Sequence, residues 1–214
     1  MKKIAAIMLA AAFLAPVAAN AEISKKDAKA IKKEAKAKLK EYKKENWKVF
    51  ASSRTLDVCV ERHYTNLLEL GENGYEVVGV ASNIKSKNIG KQMALNNACL
   101  QYAQQLGSDV RGRIVSDMGG DESSWGGSPE EMDQFYSAFE RSVEQKIGNV
   151  MRESFSVIRD LGNGTFEINS HFIVNEDAAA KARKEALEEA LTASDLAQRN
   201  AEKISQFVNA GFAQ

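Results

Sequence analysis

The sequence predicts an α+β fold: a small, mainly antiparallel sheet covered by helices, with a lysine-rich N-terminal helical arm and a long C-terminal helix. Three observations carry that expectation. YEVVGVAS and TFEINSHFIV are rich in β-branched and aromatic residues, and the second alternates with a period of two. The stretches between them place apolar residues at steps of three and four, the period of a helix. Gly, Asn and Pro punctuate the boundaries.

Each element can be justified in turn. In SKKDAKAIKKEAKAKLKEYKKENWK, the residues Ile31, Ala35, Leu39 and Tyr42 form a weak apolar stripe among lysines, which predicts a solvated helix packed lightly on the rest of the chain. SSRTLDVCVERHYTNLLEL predicts a second helix, with Leu56, Cys59, Val60, His63 and Leu67 on one face and GENG as its stop. YEVVGVAS then reads as a strand in which Gly79 permits a close approach. SKNIGKQMALNNACLQYAQQL reads as a helix with small residues Ala94 and Ala98 toward the sheet, stopped by Gly107, and VRGRIVSD as a short strand.

After the loop MGGDESSWGG, Ser128 is followed by Pro129 and Glu131, the signature of a capped helix start. Met132, Phe135, Phe139 and Val143 are its expected buried stripe. In VMRESFSVIRD the expected shared face is Met151, Phe155 and Val157, and in TFEINSHFIV it is Phe166, Ile168, Phe172 and Val174. That pattern turns His171 to the other, solvent or interfacial, side. Asn163-Gly164 suits a tight hairpin turn between the two strands. The alanine-rich tail predicts a long helix, or two broken near Thr192 to Asp195, with its small-residue face over the sheet.

Charge and processing bound the setting. The opening MKKIAAIMLAAAFLAPVAANAE has lysines, an apolar run and small residues before Ala21, the pattern of a signal peptide over residues 1–21. The expected location is therefore exported, periplasmic or outer-envelope associated. It is not lipidated, because no cysteine stands at the exit, and not an integral membrane protein after processing. The chain has 29 basic and 29 acidic residues, distributed unevenly. Between Ser24 and Lys48 eleven lysines face four acids, so a basic arm over residues 22–50 precedes an acidic single domain over 51–214.

The combination VVGVAS, KQMALNNACLQYAQQL, VRGRIVSD and the hairpin SVIRDLGNGTFEINSHFIV, followed by a helix, resembles a known family. It contains the N-terminal domain of flagellar assembly protein T and related twenty-kilodalton bacterial envelope lipoproteins. The resemblance spans about residues 75–190 and implies an exported envelope domain with a structural or assembly role. It supplies no catalytic residues, and this chain lacks both a lipobox cysteine and a motor-contact domain.

The chemistry-bearing residues are few. Gly119-Gly120-Asp121-Glu122 matches the start of the GGDEF signature of cyclic di-GMP synthases, but Ser123 replaces phenylalanine and a glycine-rich loop follows where a strand is needed. Asp117, Asp121 and Glu122 are weak candidate ligands for calcium, since carboxylate oxygens suit a hard cation. Their spacing does not match the twelve-residue calcium loop.

Cys59 and Cys99 could form a disulfide in an oxidising compartment or pack as free small hydrophobes. Cys59 and His63, one helical turn apart, could form a thiolate or metal pair. There is no Gly-x-Ser-x-Gly elbow, His-Glu-x-x-His helix or phosphate loop. The expectation is a non-enzymatic envelope protein without a cofactor, structural or interacting in type. Its partner would be another envelope protein or component, or a second copy, and not nucleic acid. A small-ligand or weak calcium-binding module is the alternative, and an exported hydrolase a lesser one.

Overall fold

The alternating runs do form the sheet, and helices cover both of its faces. The computed structural model describes residues 25–117 and 128–212. Its elements are α1 (Lys25–Lys44), β1 (Lys48–Phe50), α2 (Leu56–Leu70), β2 (Gly74–Ile84), α3 (Lys87–Asp117) and α4 (Pro129–Ile147). β3 (Arg152–Asp160), β4 (Phe166–Asn175), α5 (Glu176–Leu191), α6 (Asp195–Arg199) and α7 (Ala201–Ala210) complete it. The strands lie in the order β1-β3-β4-β2, and every pairing is antiparallel. This is the α+β fold that the sequence predicts.

Sequence-local signals set most boundaries. Gly71 ends α2 at φ 56°, a left-handed conformation open to glycine without penalty, and a 3-10 turn leads into β2. Ser128 caps α4 by accepting from the Glu131 backbone N–H, while the Glu131 carboxylate accepts from the Ser128 N–H. Met132, Phe135, Phe139 and Val143 are all fully buried.

On one face of the sheet α3 lies across β2 and β4, α4 and α7 pack against α3, and α5 packs on α4 and α7. The close approach rests on Gly79, where a Cβ would stand 1.8 Å from the Ala94 carbonyl oxygen. Ala94 and Ala98 are fully buried at that crossing. On the opposite face, α1 and α2 cover Phe155 and Val157 through Ala35, Tyr42, Trp47, Cys59 and Val60.

Five expectations need correction. VRGRIVSD is helix, the last two turns of α3: Val110 and Ile114 continue the buried stripe of Cys99, Ala103 and Leu106 at helical steps. Gly107 does not stop that helix but lets it touch α4, since a Cβ there would lie 2.4 Å from Glu140 Oε1. Met151 does not share a face with Phe155 and Val157. Register slips between Glu153 and Phe155, so a bulge at Ser154 turns Phe155 toward α1 and α2 while Met151 joins the core under α3.

The β3–β4 connection is a five-residue loop closed by Leu161 N–H to Thr165 O at 3.0 Å, with Gly162 and Gly164 at positive φ rather than a two-residue Asn-Gly turn. Finally, the C-terminal segment is not one long helix: it breaks at Thr192–Ser194, as the second expected alternative had it, and again at Asn200, and α5 packs chiefly on α4 instead of the sheet.

The basic segment is not a loosely attached arm. Ile31, Ala35 and Tyr42 are buried, and residues 48–50 just beyond the helix pair with Ile158, Val157 and Ser156 as an edge strand. Among the described residues, no helix is long and apolar enough to cross a membrane.

Candidate functional site

The strongest concentration of titratable side chains sits between α1, α2 and the sheet. His63 comes from the middle of α2, on the face that also buries Cys59 and Val60. Glu76 and His171 come from β2 and β4, which are paired so that Glu76 lies opposite Ile173 and Val78 opposite His171. The two side chains therefore sit diagonally on one face. Tyr42 reaches them from the last turns of α1.

Glu76 Oε1 lies 2.9 Å from His63 Nε2 and 2.9 Å from His171 Nδ1. His171 Nε2 lies 2.6 Å from the Tyr42 hydroxyl. A carboxylate only accepts, so His63 Nε2–H and His171 Nδ1–H donate to it. His171 Nε2 then accepts from the Tyr42 O–H, which fixes the tautomer of that ring. Phe155 stacks face to face on His171 with centroids 4.4 Å apart and planes 3° from parallel. His63 is 1% and His171 4% exposed, whereas the Glu76 side chain is 34% exposed.

The electrostatics follow from this geometry. Burial alone would raise the Glu76 pKa, but hydrogen bonds from His171 and His63 outweigh it and hold the carboxyl well below its ordinary range. Burial lowers the His171 pKa against the pull of Glu76, so its ring stays neutral. Burial, reinforced by Glu41, raises the Tyr42 phenol. His63 Nδ1 is buried with no hydrogen-bond partner among the described protein atoms.

The residues singled out from sequence fare unevenly. His171 takes the interfacial of its two expected positions, not the solvent one: it faces away from α3, and α1 and α2 close over it. Cys59 and His63 do not act as a pair, since the Cys59 thiol sits 3.7 Å from Ser52 Oγ while His63 turns to Glu76. Of the two alternatives for Cys59 and Cys99, the structure has the free, packed thiols: both are buried and unbonded. Cys59 packs under α2 on one side of the sheet and Cys99 under α3 on the other, beside Met151 Sδ at 3.8 Å. Of the acidic candidates, Asp117 ends α3 in an ion pair with Lys203 at 3.0 Å. Asp121 and Glu122 lie outside the described residues.

Sequence reading missed Glu76 and the role of Tyr42. The available signal was a lone acid between Tyr75 and the valines of a strand, on the same alternation as Val78.

A second feature is exposed rather than buried. Between residues 88 and 105, the exposed face of α3 consists of Asn88, Ile89, Gln92, Met93, Asn96, Asn97, Leu100, Gln101, Gln104 and Gln105, without a charge. Ile89, Met93 and Leu100 are 62%, 42% and 39% exposed. They lie within about 40° of helix arc. Lys91, nearby, is committed to Glu153 at 3.1 Å. Asn97 Nδ2 donates to the Val80 carbonyl at 2.7 Å, so this flank of α3 reaches over β2, an edge strand of the sheet.

No family model, curated protein or solved structure matches this chain.

Proposed function

We propose that this is an exported, non-enzymatic protein of the cell envelope that acts by binding another envelope component, and that the exposed face of α3 is the surface it uses. The observation that carries this reading is the uncharged stripe of Ile89, Met93 and Leu100 in a ring of amides, on a chain of which 27% is charged. Interface centres are depleted of charge and enriched in methionine and aromatic residues. Covering what remains exposed of each of these three side chains would contribute about 0.6–1.9 kcal/mol. The signal-peptide pattern of residues 1–21 supports export, and the resemblance of residues 75–190 to an envelope family points the same way.

A photo-crosslinking amino acid at Met93 tests it. The expected result is a discrete adduct in intact cells, absent when the same group replaces Glu188 on the exposed side of α5. No adduct at Met93, or the same adducts at both positions, would sink the proposal.

One observation favours a second reading, a module for a small anionic ligand. Arg54, Arg62 and Arg152 line one cleft of about 510 Å³ together with Glu69 and Glu153, and among the described residues none of the three arginines is within salt-bridge distance of a carboxylate. Thermal stabilisation by phosphate or citrate that disappears in Arg62→Ser would support it.

A further inference from the structure

We propose that His63, Glu76 and His171 form a binding site for a divalent transition-metal ion of the zinc class. The three donors come from three different elements, α2, β2 and β4, held by the sheet and by the helix that covers it. Their donor atoms, His63 Nε2, Glu76 Oε1 and His171 Nδ1, all lie within 4.8 Å of one another. Two imidazoles and a carboxylate suit zinc and its neighbours, whereas calcium asks for six to eight oxygens. This is a different site and a different ion from the weak calcium candidates Asp117, Asp121 and Glu122.

The geometry requires small adjustments. In a tetrahedral site with bonds of about 2.0–2.1 Å, neighbouring donors stand roughly 3.3 Å apart. The two histidine nitrogens, within 4.8 Å of each other, must settle to that spacing, and the two Glu76–histidine separations of 2.9 Å must open by a few tenths of an ångström. Glu76 can supply that movement, because its side chain is one-third exposed while both rings are packed. Its open side also leaves a fourth position for water, as in sites with three protein ligands.

Proton placement closes the balance. A ring nitrogen that takes the ion passes its proton to the other nitrogen of the same ring. For His171 this creates Nε2–H, aimed at the Tyr42 oxygen 2.6 Å away, which accepts once its hydroxyl proton turns aside. Metal-bound histidines characteristically have such an outer partner on the second nitrogen. For His63 the proton moves to Nδ1, which lacks a partner among the described protein atoms in either tautomer, so this unpaired atom is common to both states.

The test uses the untagged protein, stripped with chelator, and zinc and cobalt salts as probes. Calorimetry should give one zinc per chain, and cobalt should give ligand-field absorption without a thiolate charge-transfer band. Cys59→Ser/Cys99→Ser should bind as the parent does. Glu76→Gln, which keeps the shape of a partly exposed residue, should weaken zinc at least ten-fold. Zinc binding unchanged in Glu76→Gln, or no uptake by the parent at about 100 µM zinc, would overturn the proposal and leave the cluster a hydrogen-bonded clasp.

Discussion

Tyr42 and His171, 129 residues apart in the chain, meet through a buried hydrogen bond of 2.6 Å that ties the lysine-rich helix to the middle of the sheet. The Tyr42 ring also packs edge-on against Trp47 and Phe155. Tyr42→Phe keeps that packing and removes the hydroxyl, leaving His171 Nε2 buried without a donor. The expected loss is about 1–3 kcal/mol in urea unfolding. An unchanged midpoint would mean that the bond contributes nothing net.

Acid should weaken the same region. The folded-state pKa values of Glu76 and His171 both lie below their ordinary ones. The unfolded chain therefore takes up protons first as pH falls, and stability is lost in that direction. For His171 the loss begins near the ordinary histidine value of about 6.5, and for Glu76 it begins near the ordinary carboxylate value and extends below it. Thermal unfolding between neutral pH and pH 5 should show a falling melting temperature, with a smaller slope in His171→Gln. A melting temperature that rises on acidification would contradict the burial of a neutral His171.

Two glycines should respond in opposite senses to alanine. At Gly79 a Cβ would meet the Ala94 backbone oxygen at 1.8 Å, so α3 must move off the sheet. Gly79→Ala should cost about 1–3 kcal/mol or more. At Gly112, in the exposed interior of α3, an added Cβ would meet nothing within 4 Å. Gly112→Ala should stabilise by roughly 0.5–1 kcal/mol. Denaturant midpoints of the two variants give the comparison.

The thiols should be silent until the protein unfolds. Cys59 and Cys99 are each 6% exposed and lie on opposite sides of the sheet. A thiol reagent should label neither rapidly in the native state and both in urea, without prior reduction. Labelling in urea only after reduction would establish a disulfide and contradict the packing.

What is legible in the chain is what local chemistry determines. Ser128-Pro129 with Glu131, the glycines at Gly71 and Gly79, and the helical stripe of Met132 to Val143 each carry their reason within a few residues. VRGRIVSD is ambiguous because a short apolar run with one glycine fits either period, and only the α4 contact at Gly107 shows why the helix continues. The bulge at Ser154 reverses which side chains of β3 face α1, and no local residue announces it. The histidine–glutamate cluster is illegible for a further reason. Two of its three bonds join residues 95 and 129 positions apart, and Glu76 looks in sequence like any solvent-facing acid on a strand.

Glu76 gathers both histidines, and Tyr42 locks one of them. Long-range proton–nitrogen correlation of the imidazoles in the metal-free protein at neutral pH tests this arrangement most directly. The geometry predicts a neutral His171 protonated on Nδ1 and a His63 that carries a proton on Nε2, both slow to exchange. A His171 protonated on Nε2, or two rapidly exchanging rings with averaged tautomers, would contradict it.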